Sequence, residues 1–155
     1  MGANPRYVLV FLVLMASSCN DSGTEPDQGW LADHSGITNP AKRWQAYGVQ
    51  DYSMLQMRTC FCGDGGKKFL ITVRSGSISS IIDPTDGTIV AGDRWREFKT
   101  INELFDLVNS IDTTKVAHLQ VSYDVRYGYP LKVFVDPSAN IADEEYGYET
   151  EIVKH

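Results

Sequence analysis

From Tyr52 onward polar and apolar positions alternate with a period of two. Tyr52, Met54, Gln56, Arg58 and Cys60 fall on one side of an extended chain, and Ser53, Leu55, Met57, Thr59 and Phe61 on the other. That period predicts a strand, although neither side is cleanly polar. Gly63-Asp64-Gly65-Gly66 then turns the chain, and Lys68–Arg74 runs back with Phe69, Ile71 and Val73 alternating. Ser75-Gly76 is a tight-turn signal before a third strand over Ser77–Ile82. Before this meander the period is helical: Asn39 can cap a helix, Pro40 suits its first turn, and the helix runs to about Tyr47. Trp44 and Tyr47, three residues apart, share one helical face and are expected to pack on the sheet.

A loop over 83–98 separates this half from a second one. Thr100-Ile101-Asn102-Glu103 has the spacing of a capping box, and Ile101, Leu104, Phe105, Val108 and Ile111 form a helical apolar stripe over 100–111. Strands are expected at 116–125, 131–135 and 148–153, the first two joined through Gly128-Tyr129-Pro130. The order α-βββ-α-βββ predicts an α+β fold: a single antiparallel sheet of about six strands with both helices on one face.

The extreme N-terminus follows a different pattern. Arg6 precedes a short apolar run, Tyr7 to Met15, about half the roughly 20 residues needed to cross the hydrocarbon core. Ala16, Ser17 and Ser18 follow, and then Cys19. One positive residue, a short apolar stretch and small residues before a cysteine read as an export signal of the lipoprotein type. On that reading residues 1–18 are a signal peptide and Cys19 is the lipidated new N-terminus. Ordinary cleavage near Ser17 or Ser18, leaving Cys19 as a spare thiol, is the alternative. Residues 19–38 are polar and rich in Gly, Ser and Asp, and read as a flexible tether spanning about 25 Å. His34 is expected to be solvated within it. A single domain then occupies 39–155.

The precursor carries a net charge of −6, and removing residues 1–18 takes away Arg6 and no acid. Such a balance argues against nucleic acid, or an anionic bilayer surface, as the main partner, since both need clustered cations. Membrane attachment is therefore expected through the lipid alone. Two or three acyl chains on one cysteine hold firmly, whereas one does so only marginally. The chain has three cysteines, so assigning Cys19 to lipid leaves Cys60 and Cys62 as a pair. In an extended strand their Cα atoms would be about 6.6 Å apart, so a bridge requires a bend, which the following glycines permit. Three readings stand: a structural disulfide, two free thiols, or half of a metal site. The first is the expectation, because redox enzymes favour Cys-x-x-Cys at a helix start and His34, His118 and His155 are scattered singly.

Several residue groups invite a functional reading. Asp136, Asp143, Glu144 and Glu145 can gather around Ca²⁺ or a cationic ligand, or serve a small hydrolase, although such runs are usually solvated. Asp83-Pro84-Thr85-Asp86-Gly87-Thr88 lacks the alternating ligands of a calcium loop and reads as a plain turn. Trp95 with Arg94, Arg96 and Lys99 forms a small basic and aromatic patch, the best candidate for an exposed contact. Tyr127 and Tyr129, with Tyr123, Tyr146 and Tyr148, are read first as packing and second as a protein or glycan recognition face. No nucleophile elbow or phosphate loop is present, and nothing in the pattern calls for a cofactor.

A wider pattern runs through these segments. Trp44 and Tyr47, Tyr52 leading to Cys60-Phe61-Cys62, Thr100-Ile101-Asn102-Glu103-Leu104-Phe105, Tyr123-Asp124, Tyr127-Gly128-Tyr129-Pro130, Val135-Asp136 and Ala142-Asp143-Glu144-Glu145 together resemble the bacterial lipoprotein family known as domain of unknown function 6174. The resemblance covers nearly all of residues 40–153. It implies an envelope-associated α+β domain without an established activity, so no catalytic residue is carried over. The resulting expectation is a lipid-anchored, non-enzymatic binding module of the bacterial cell envelope, facing periplasm or exterior, with an envelope protein or glycan as partner. The runners-up are a small envelope hydrolase using the acidic loop 136–145 and a calcium-stabilised structural lipoprotein.

Overall fold

The structure, a computed structural model, describes residues 28–154. The signal-like segment and Cys19 lie outside the described residues. Helix α1 spans Pro40–Tyr47 and α2 spans Ile101–Ser110. The strands are β1 (Tyr52–Thr59), β2 (Lys68–Arg74), β3 (Ser77–Ile82), β4 (His118–Tyr123), β5 (Pro130–Asp136) and β6 (Tyr146–Lys154). Short 3-10 turns occupy Gln28–Leu31 and Gly92–Glu97, the second within the stretch expected as an open loop.

Both helices begin where their caps dictate. Asn39 accepts a hydrogen bond from the Lys42 amide at 2.9 Å, Pro40 fills the first turn, and Gly48 ends α1 at φ 64°, a left-handed conformation that favours glycine. At α2 the capping box closes reciprocally: the Glu103 amide donates to Thr100 Oγ1 at 3.2 Å, and the Thr100 amide donates to Glu103 Oε2 at 2.7 Å.

The six strands form one antiparallel sheet in the order β3-β2-β1-β6-β5-β4. Each half is a meander, and the two join where the first strand pairs with the last. Register places Tyr52, Met54 and Gln56 of β1 beside Val73, Ile71 and Phe69 of β2, and sets Met54 and Gln56 against Ile152 and Thr150 of β6. Paired residues point to the same side. These residues, with Ile81, Val133 and Val135, are the inner face of the sheet, and both helices pack on it. Trp44 of α1 meets Tyr52 and Tyr129 edge to face, with ring centroids 5.7 and 6.1 Å away. Phe105 of α2 stacks on Tyr123 at 6.0 Å. The expected architecture is therefore present.

The folded domain starts earlier than expected. Trp30, assigned above to the tether, is only 2% exposed; its ring lies 6.0 Å from Trp44 and 5.0 Å from Tyr127, both edge to face. His34 packs edge-on against Tyr47 at 4.7 Å rather than standing free in solvent. A tether reaching residue 38 is thus corrected: residues 28–38 are laid along the helical layer, because a buried tryptophan outweighs the polar character of its neighbours.

Candidate functional site

With both helices on one side, the opposite side of the sheet is uncovered by any described element. Register builds it row by row. Leu55 of β1 stands beside Leu70 of β2, which in turn faces Ile82 of β3. Met57 lies between Lys68 and Glu149, and Glu149 is paired with Lys132 of β5, whose Nζ is 3.5 Å from its Oε1. Lys132 carries this row on to Ser122 of β4, and Phe134, two positions along β5, stands between Gly147 and Gln120 in the next row. Leu55, Met57, Leu70, Ile82 and Phe134 are all half-buried. Leu55, Met57, Leu70 and Ile82 thus make an apolar band flanked by charges, with a shallow hollow of about 270 Å³ lined by Leu55, Met57, Lys68, Leu131, Glu149, Thr150 and Glu151. The mixed polarity of the 53–59 side of β1 was the only sequence signal for this surface.

The anticipated contact residues do not assemble into one face. Trp95 is half-buried and donates its Nε1 hydrogen to the Val90 carbonyl at 2.9 Å. Arg94 is consumed by ion pairs with Asp64 and Glu97, and of Arg94, Trp95, Arg96 and Lys99 only Arg96 is exposed. Tyr129 is 5% exposed, and its phenol oxygen accepts a hydrogen bond from the Ile152 amide at 3.3 Å. Tyr127 packs against Trp30 and Tyr47 beside α1, away from the 92–97 turn. Aromatic rings this large gain more from burial than from display, which is why the turn at Tyr127 and Tyr129 folds inward.

Nor does the acidic loop converge. Among the described residues no three His, Cys, Asp or Glu side chains form a group able to hold a metal ion. Asp136 accepts from the Ser138 amide at 3.0 Å, Asp143 is exposed, and Glu144 and Glu145 are half-buried. Asp136, Asp143, Glu144 and Glu145 are not brought together into such a group. The 83–88 segment is the turn it was read as: the Thr85 and Thr88 amides donate to Asp83 and Asp86, and Gly87 takes φ 77°.

Sequence reading missed an ionic chain at the edge of the inner face. Arg58 pairs with Glu97 at 2.7 Å and stands 5.1 Å over the Phe98 ring; Glu97 continues to Arg94, and Arg94 to Asp64. Arg94 and Glu97 share one turn, but the Arg58–Glu97 and Asp64–Arg94 links reach thirty residues or more along the chain, so no local spacing announces them. They pin the β1–β2 turn, which carries Cys60 and Cys62, to the 92–97 turn. There the two cysteines are in bonding contact, their Cα atoms 5.3 Å apart.

The family comparison is decisive for kinship. The model of a family of unknown function, DUF6174, matches residues 37–155. The chain belongs to that family. No curated protein matches it, and no solved structure does. Within this DUF6174 domain no described helix is long and apolar enough to cross a membrane.

Several carboxylates of the domain are held below their ordinary range. Hydrogen bonding from Arg94, and then the charge of Arg58, lowers Glu97; the Thr85 amide, and then Lys67 at 2.9 Å, lowers Asp83. A depressed folded value means stability that is fully present above the unfolded value and is lost as pH falls through the folded one. Urea midpoints followed by tryptophan fluorescence should therefore decline below about pH 4, where the unfolded carboxylates begin to bind protons. In a Glu97→Gln, Asp83→Asn double variant that decline should be shallower.

Proposed function

We propose that this chain is a lipid-anchored binding module of the bacterial cell envelope. In this reading Cys19 carries the acyl chains, and the domain presents the open sheet face to an envelope protein or glycan. One observation carries the proposal. The half-exposed band of Leu55, Met57, Leu70 and Ile82 lies opposite a complete core, so its apolar side chains are not needed to close the fold. A contiguous apolar patch rimmed by charge is the usual form of an interaction surface. The flanking Lys68, Lys132, Glu149 and Glu151 supply both signs of charge, which suits a polypeptide or polar glycan better than nucleic acid. Neither the hydrolytic nor the calcium reading of the 136–145 loop has a comparable observation in its favour.

The test separates anchor from surface. Cys19→Ala should move the protein from the membrane fraction to the soluble fraction; retention in the membrane would remove the lipid anchor from the proposal. Leu70→Glu, at the centre of the band, should melt close to the parent and lose the partner recovered by crosslinking in intact cells. Equal recovery from parent and variant would count decisively against this face.

A further inference from the structure

The Cys60-Phe61-Cys62 turn holds chemistry that the open face does not use. Cys62 is exposed, Cys60 is half-buried, and Phe61 between them is 82% exposed. As a staple the pair does little. A bridge across one intervening residue closes so small a ring that it removes little chain entropy from the unfolded state. The turn is also already fixed without it. The Gly66 amide donates to the Arg58 carbonyl at 2.9 Å, the Gly65 amide to the Cys62 carbonyl at 3.0 Å, and the Lys67 amide to the Asp64 carbonyl at 3.1 Å. Asp64 is then tied to Arg94. Gly65 is required for this packing, since a Cβ there would stand 2.4 Å from the Cys60 carbonyl oxygen. These contacts involve backbone and carboxylate rather than sulfur, so they hold the two cysteines side by side whether or not they are bonded.

We propose that Cys60 and Cys62 form a thiol–disulfide exchange site whose substrate is a thiol pair, with Phe61 as its apolar contact. In the forward direction a substrate thiolate attacks the exposed Cys62 sulfur. A bond forms between the substrate sulfur and Cys62 as the Cys60–Cys62 bond breaks, and Cys60 leaves with the electron pair as a thiolate that takes a proton from water. A second substrate thiolate then attacks the substrate sulfur of this mixed disulfide and releases Cys62. The substrate ends as a disulfide, and the protein as two thiols. The reverse sequence reduces a substrate disulfide. Because the backbone keeps the sulfurs adjacent, reclosure is intramolecular and needs no rearrangement of the fold.

The experiment uses the folded protein with glutathione and, separately, with a two-cysteine peptide carrying apolar flanks, counting free thiols by alkylation and mass. The bridge should open and reclose reversibly without denaturant, and the urea midpoints of the two forms should nearly coincide. With oxidised glutathione, Cys60→Ser, which leaves Cys62 free, should form a mixed disulfide at least about tenfold faster than Cys62→Ser, because access governs attack. Phe61→Ala separates the two sources of thiol. Slowing only with the peptide supports a polypeptide dithiol held by Phe61, and no slowing with either would overturn Phe61 as its contact. A bridge that opens only in denaturant, or whose reduction sharply lowers the midpoint, would show a structural staple and overturn the proposal.

Discussion

Trp30→Ala is expected to lower the unfolding free energy by about 3–5 kcal/mol, the range for removing a large aromatic from a core. The size follows from position: Trp30 is 2% exposed and closes one end of a ring cluster in which Trp44, Tyr47 and Tyr127 meet edge to face. Truncation opens a cavity bounded by rings held by α1 and by the 124–129 turn, so the walls cannot readily collapse inward. Urea denaturation monitored by circular dichroism measures the change. Leu31→Ala, one position on and 73% exposed, is the control and should stay within about 0.5 kcal/mol of the parent. If Trp30→Ala were equally mild, residues 28–38 would be an appended strap rather than part of the folding unit.

That boundary shows where sequence reading stops. Asn39, Pro40 and the Thr100–Glu103 box act through neighbours within four residues, and such signals were legible because partner and position are fixed by local spacing. The two meanders were legible too, through alternation and glycine turns. The β1–β6 pairing that unites them was not, since its partners, Met54 and Ile152 among them, are almost the whole domain apart. Trp30 was passed over because its neighbours are polar, and burial of a lone aromatic depends on rings brought from 44, 47 and 127. The bonds of Tyr129 and Arg94 were not legible for the same reason: their partners, Ile152 for one and Asp64 for the other, are supplied by tertiary structure. The open face was half legible. The apolar residues of both sides of β1 were visible, but only the helices' shared side reveals which of the two is left uncovered.

Gln56→Leu is the second large effect, and it bears on how the helical layer is joined to the sheet. Gln56 is wholly buried on the inner face, between Phe69 of β2 and Thr150 of β6. Its Nε2 donates to the Lys99 carbonyl at 2.9 Å, while its Oε1 accepts from the Lys99 amide at 3.0 Å. One side chain thus satisfies both backbone groups of the residue preceding the N-cap of α2. The Tyr52 phenol oxygen, two positions back on the same face, accepts from the Ile101 amide at 2.9 Å. Burial raises the titration point of that phenol, so it stays neutral across the physiological range. Leucine nearly matches glutamine in volume and suits an apolar face, so the substitution creates little cavity. It leaves a partly buried amide and carbonyl unpaired, at about 1–3 kcal/mol each, and a total loss of about 2–6 kcal/mol is expected. Hydrogen exchange distinguishes this from general loosening. Protection should fall first at Lys99 and along the first turn of α2, whereas the β1 and β6 amides should follow global stability. A Gln56→Leu protein as stable as the parent would mean that the sheet does not position α2 through this bond pair, and that the capping box and the Tyr52 phenol suffice.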